Sequence, residues 1–187
     1  MKVSTYMQIA FLVAQESKCC SWKVGSVIEK GGRIISTGYN GSPAGAKNCC
    51  DHAEDSGWIG SSLKSTGRRE DGLQIQKIGL LPEHREAHSS WSKVNEIHAE
   101  LNAILYAARN GLSIEGATMY VTASPCPDCA KAISQSGIKK LVFCTMYDKN
   151  PDDWYKIMSD VGVDVHQINK RDLLNLDWSV IKEYCGV

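Results

Sequence analysis

Apolar residues follow two different rhythms along the 187-residue chain. Between Ser4 and Ser17, the residues Met7, Ile9, Ala10, Phe11, Val13 and Ala14 fall in a broadly helical pattern, with Ser4 placed to cap it. Val24–Glu29 and Arg33–Gly38 are short and β-rich, and the Gly31-Gly32 pair between them predicts a tight hairpin. From Pro43 to Pro82 neither rhythm is sustained. The stretch 61–72 is polar and rich in turn formers, so the region around 43–82 reads as a long, partly irregular insertion. Regular patterning resumes with a helix predicted over Glu96–Asn110 and closed by Gly111, then a strand over Ala117–Thr122. A second helix over Cys126–Ser136 closes at Gly137, and a strand covers Leu141–Cys144. The remainder predicts a helix at Asp153–Val161, a strand at Val163–Ile168 and a last helix at Trp178–Tyr184.

Strands alternating with helices imply an α/β sandwich. With 43% hydrophobic residues, a chain of this length buries one sizeable core. Residues 1–187 are therefore expected to form a single domain, with the insertion as an elaboration of it. The 21 basic residues balance 21 acidic ones, which argues against a long nucleic acid as partner and leaves small anions open. No apolar run is long enough to cross a bilayer, and Met1–Thr5 lacks the apolar core of a secretory signal, so a soluble cytoplasmic protein is expected. In a reducing compartment the eight cysteines read as metal ligands or small buried hydrophobes, not as a disulfide framework.

The chemistry concentrates in His98-Ala99-Glu100 and Pro125-Cys126-Pro127-Asp128-Cys129. A bare C-x-x-C also suits a structural zinc knuckle or a thiol redox pair, but neither has a use for His98 and Glu100. Cys126 and Cys129 lie three apart at the start of a predicted helix, so their sulfurs share one face at its positive end. One histidine and two thiolates make three zinc ligands and leave a fourth position for water. Two thiolates neutralise the formal charge of zinc and leave its water less acidic than histidines alone would, so a general base is needed, and Glu100 is the candidate proton carrier. His98 and Glu100 are two apart and can share a site only near a helix start. The combination predicts hydrolytic deamination of a nucleobase, with water attacking the amino-bearing ring carbon.

The segments Asn95–Ile104 and Ser124–Ala130 resemble the cytidine and deoxycytidylate deaminase superfamily. Ser17–Gly25, Gly38–Gly45 and Tyr184-Cys185-Gly186 extend the likeness to the deoxycytidylate deaminases of T-even-type phages. It runs nearly end to end and is weakest around Gly60–Ile78. The resemblance implies a three-layer α/β/α fold with a mixed sheet of about five strands, and hydrolysis of dCMP to dUMP and ammonia for thymidylate synthesis. It further implies a homohexamer activated by dCTP with Mg2+ and inhibited by dTTP.

On the substrate side, it implies that Asn40 meets the sugar and that Lys23 meets the 5′-phosphate. It assigns the Ala99 backbone to the base carbonyl, the Ser124 backbone to the leaving amine, and Tyr147 to the sugar or base. It also implies a second, structural zinc on Cys19, Cys49, His88 and Glu96, which no spacing in the chain signals. Two rival readings share the metal motif: a deaminase acting on tRNA or single-stranded nucleic acid, and a zinc-binding structural module without catalysis. Balanced charge and the Gly38–Gly45 loop argue against the first, and Glu100 against the second.

Overall fold

The computed structural model describes residues 1–68 and 74–173, and for residues 61–68 and 74–78 the backbone alone. Strands β1 (Gly25–Lys30) and β2 (Arg33–Tyr39) form the expected hairpin. Gly31 and Gly32 take φ of 60° and 81°, which is the conformation a two-residue turn demands and other residues resist.

A helix follows at Cys49–Asp55 (α2), then strands Ile59–Arg68 (β3) and Gln74–Leu80 (β4), which pair only with each other. The region expected to be irregular thus holds a helix and a hairpin. Helix α2 has no apolar stripe to betray it; its signal is the Asn48 cap, whose side chain accepts the Asp51 N–H.

After a 3-10 turn at Pro82–His84 comes α3 (Arg85–Asn95), also absent from the hydrophobic pattern. The helix expected over Glu96–Asn110 begins later, as α4 (Ala99–Arg109). Glu96 is instead the extended residue that ends α3, with φ −109° and ψ 140°. The chain continues through β5 (Thr118–Ala123), α5 (Pro127–Gln135), β6 (Lys140–Thr145), α6 (Lys156–Asp160) and β7 (Asp164–Gln167) to a 3-10 turn at Lys170–Leu173. The helix expected at Trp178–Tyr184 lies outside the described residues.

The main sheet has the order β2-β1-β5-β6-β7, antiparallel across the first three strands and parallel across the last three. This is the mixed five-stranded sheet expected. Side chains alternate across it, as a pleated strand requires. On one face Ile28, Met119, Val121, Leu141 and Phe143 pack with Ala103, Ala107, Ala130, Ile133, Trp154 and Met158, which come from α4, α5 and the α6 region. On the other, Val27, Tyr120, Val142 and Cys144 meet Tyr6, Met7 and Ala10 of the first helix, α1 (Val3–Ala14), with the Tyr6 and Tyr120 rings stacked at 4.8 Å. Each fully buried large side chain, such as Met7, Ile28, Met119 or Leu141, contributes about 1.5–3 kcal/mol.

Two glycines set how closely the helices approach. A Cβ on Gly25 would fall 2.1 Å from Ala10 O, and one on Gly38 would fall 2.4 Å from Ala99 O. Beside Gly38 the sheet also meets α4 through small polar groups, with Ser26 Oγ donating to Ala99 O at 2.8 Å and Ser36 Oγ to Ala103 O at 2.6 Å. These contacts fix the first turn of α4 on the sheet. Among the described residues no helix is long and apolar enough to cross a membrane.

Candidate active site

Two helix starts meet above the sheet. His98 is the N-cap of α4 and Cys126 the N-cap of α5, both in extended backbone conformation. Because His98 precedes the helix proper, it and Glu100 reach one site despite their spacing. Pro127 occupies the first turn of α5, where a missing N–H costs nothing.

His98 Nδ1 lies 3.4 Å from both Cys126 Sγ and Cys129 Sγ. All three donor atoms fall within 4.8 Å of one another. Cys129 and Glu100 are buried, Cys126 is half-buried and His98 is exposed, so the trio opens to solvent on the histidine side.

Crowding of donors shapes every titration here. A hydrogen bond from Cys129, opposed by burial and helped by His98, pulls the Cys126 thiol down to about 4. Cys126 in turn holds the His98 imidazole up to about 9, with Glu100 adding to the rise. Cys129 is pushed upward by its bond to Cys126 and by burial. Burial also pushes the Glu100 carboxyl up, opposed by its own backbone N–H, by His98 and by Cys129. A carboxyl raised in this way holds and releases a proton nearer neutrality than a solvated one.

A second cluster forms nearby from Cys19, Cys49, His88 and Glu96, whose donor atoms also lie within 4.8 Å of one another. Cys49 Sγ is 3.2 Å from His88 Nε2, Cys19 Sγ is 3.7 Å from the same nitrogen, and Cys19 Sγ is 3.7 Å from Glu96 Oε2. Ser92 Oγ donates to Glu96 Oε2 at 2.6 Å, while Glu96 Oε1 is buried without a partner among the described residues. The bond to Cys19 lowers the Cys49 thiol, but Cys20 and burial together push it up to about 12. Stacking of His52 on Trp91 at 4.6 Å and its edge contact with Trp58 at 4.8 Å hold α2 and α3 around this cluster.

The remaining candidates lie in the loops that follow α1, β2 and β6 and at the first turn of α4. The loop after β2 is bridged to the residue before His98 by two hydrogen bonds between Gly41 and Ile97, of 3.1 and 2.8 Å. Within that loop Asn40 accepts the Val24 N–H at 2.8 Å and donates to Trp22 O at 2.9 Å, which leaves one amide hydrogen unspent. Lys23 is exposed, and its Nζ donates to Gln15 O at 3.2 Å, at the end of α1.

Ala99 gives its carbonyl to Ser26 and keeps its N–H at the first helical position, where no intrahelical acceptor exists. Ser124 is buried, with its N–H on Thr145 O and its Oγ accepting from Tyr147 N and Asn150 Nδ2. Tyr147 leans on Trp22, ring centroids 5.7 Å apart. Trp22 and Asn150 escape sequence reasoning, since neither belongs to a motif and only the fold brings them to the site.

Helix layers on a mixed sheet, with H-x-E and C-x-x-C meeting at two helix N-termini, define a zinc-binding hydrolytic deaminase. Residues 1–145 match the family model for the cytidine and deoxycytidylate deaminase zinc-binding region. Over its full length the chain is 61% identical to the deoxycytidylate deaminase of Enterobacteria phage T4 and 60% identical to that of phage T2, covering all of both relatives. The dCMP deaminase of cyanophage S-TIM5, solved in complex with dCMP and dUMP, superposes with a TM-score of 0.62 at 31% identity, over 90% of this chain and 99% of that one. The chain belongs to the cytidine and deoxycytidylate deaminase family.

Proposed function

We propose that the protein hydrolyses dCMP to dUMP and ammonia. The observation that carries this reading is the convergence of His98, Cys126 and Cys129 beside the buried Glu100, in a chain alike over its full length to deoxycytidylate deaminases. The donor set of one imidazole and two thiols suits zinc, which when bound supplies an activated water. Glu100 takes a proton from the attacking water and delivers it to the pyrimidine ring nitrogen; it then takes the remaining proton of the hydroxyl now on the ring carbon and passes it to the amine, so that the carbonyl forms as the C–N bond breaks and ammonia leaves. Its burial supports this role, because the raised carboxyl serves as acid and base in turn.

On the substrate side, the unspent Asn40 amide hydrogen donates to the sugar and the Ala99 N–H to the base carbonyl. The Ser124 backbone accepts from the amine, and Tyr147 walls the base. Lys23 reaches the 5′-phosphate, in exchange for its bond to Gln15. Cys19, Cys49, His88 and Glu96 hold a second, structural zinc; the closed set of four donors and the orphaned Glu96 Oε1 support that assignment. The resemblance supports the rest: a single cytoplasmic domain over 1–187, a homohexamer, activation by dCTP with Mg2+ and inhibition by dTTP, feeding thymidylate synthesis.

The test is a steady-state assay on dCMP, deoxycytidine and a cytosine-containing oligonucleotide, with and without dCTP and dTTP, alongside a zinc count. Turnover of dCMP well above the other two, with two zinc ions per subunit, is the expected result. Preference for the oligonucleotide would replace the substrate assignment, and one zinc per subunit in a fully active preparation would remove the structural metal.

A further inference from the structure

Asn150 lies in the loop between β6 and α6, outside both metal motifs, yet its side chain is committed to the turn that carries Cys126. Its amide nitrogen donates to Pro125 O at 2.8 Å and to Ser124 Oγ at 3.1 Å, which uses both of its hydrogens. The same Ser124 Oγ accepts the Tyr147 N–H at 2.8 Å. One serine oxygen therefore gathers both ends of the 147–150 stretch, and the Asn150 N–H on Pro125 O extends the tie to the peptide that leads into Cys126. The Ser124 N–H, bonded to Thr145 O at 2.8 Å, anchors the other side of the turn at the end of β6.

The amide is also held at a cost. Asn150 Oδ1 is buried with no partner among the described residues. Rotating the amide by half a turn would set that oxygen against the Pro125 carbonyl oxygen, so the observed orientation is the one the turn imposes. A buried acceptor left unpaired is destabilising. Keeping both donors on the Ser124–Pro125 turn outweighs that loss. The turn sets where Cys126 Sγ sits relative to His98, and the loop sets where the Tyr147 ring sits against Trp22.

We propose that Asn150 is a positioning residue for the deamination, joining the loop that bears Tyr147 to the turn that bears Cys126 so that the ligand and the aromatic wall keep one fixed separation. It touches neither the metal donors nor the reacting atoms. The inference rests on the proposed deaminase reading, since a wall and a ligand need a fixed spacing only if a planar substrate lies between them.

The test compares the zinc-loaded full chain with Asn150→Ala, Asn150→Asp and Asn150→Ser. Each variant is assayed for dCMP turnover per bound zinc, zinc content and melting midpoint, and each is placed on a Glu100→Gln background for dUMP binding by calorimetry. For Asn150→Ala, zinc content should stay at the parent level and the midpoint close to it, while kcat/KM per zinc falls about a hundredfold, the scale of an ångström-sized misplacement. Asn150→Asp should be at least as impaired, because it sets a carboxylate against the Pro125 carbonyl oxygen. Asn150→Ser, which keeps one donor, should fall between Ala and the parent, and it decides the matter if the other two fail to fold. Binding of dUMP should weaken in the same order.

Turnover per zinc and dUMP binding within twofold of the parent would overturn the proposal. So would a loss of activity matched by an equal loss of zinc, which is the mark of a merely structural brace. A parent that fails to turn over dCMP would instead remove the deaminase reading on which the inference stands.

Discussion

The two donor clusters are built from nearly the same chemistry and differ in how the chain delivers it. His98, Cys126 and Cys129 offer three donors from two helix starts seated on the main sheet, and the histidine is exposed. Cys19, Cys49, His88 and Glu96 offer four donors from three separate stretches of chain, His88 and Glu96 both belonging to α3 and its end, and the two cysteines and the histidine are buried. On the proposed reading, the difference separates a site that must admit a reactant from one that only has to hold segments together. Three donors on rigid helix starts leave one direction unguarded. Four donors from loops and short helices close on themselves, and α2 and α3 gain from them an anchorage that their own apolar content does not supply.

The largest expected effect comes from removing a donor on the open side. Cys126→Ala should lower the zinc count by one and take dCMP turnover below detection, with little change in melting midpoint; retained turnover would break the contrast at once. Glu100→Gln should keep both metals and lower kcat by about 10²- to 10⁴-fold, the usual contribution of a positioned acid and base. Stopped activity together with lost zinc in that variant would show Glu100 to be a ligand.

On the closed side, His88→Ala should lower the zinc count by one and the melting midpoint by about 10 °C, the scale on which a buried linked group matters in a chain of this size. Its turnover at low temperature should stay close to the parent. If activity instead fell as far as in Glu100→Gln, the division of labour would be wrong. Gly38→Ala should cost about 1–3 kcal/mol, since the new methyl meets Ala99 O where α4 begins, and kcat should fall in step. The smallest effect is one of order: brief dialysis against a chelator should remove activity with the first zinc equivalent, while the second stays bound.

The same contrast explains what the sequence made legible. The open cluster is written in two compact motifs, and its helix and sheet supports carry strong apolar rhythms, so hairpin, strands and ligands could all be read in advance. The closed cluster has no motif. Its members were reached through resemblance alone, because Cys19, Cys49, His88 and Glu96 are each ordinary where they stand. Helix α3 was missed for a related reason. It buries His88 and packs Trp91 on His52, so aromatic stacking and polar donors take the place of a repeating aliphatic stripe. The late start of α4 was hidden too, because Glu96 and Ile97 look helical but are drawn into extended form. Two hydrogen bonds exchanged between Ile97 and Gly41 hold them there, and no local propensity reports a bridge of that span.

That bridge has a consequence for how the chain tolerates change. Glu96, Ile97 and His98 act as a ruler of three residues, with one cluster at one end, a clamp in the middle and the other cluster at the far end. Lengthening or shortening it by a single residue would pull the two clusters out of register together. Among the described residues the β3–β4 hairpin pairs only with itself and contributes no donor to either cluster. Additions and deletions are therefore expected to accumulate in the hairpin and to be absent from the ruler, which makes the hairpin the natural place to graft a tag or an epitope.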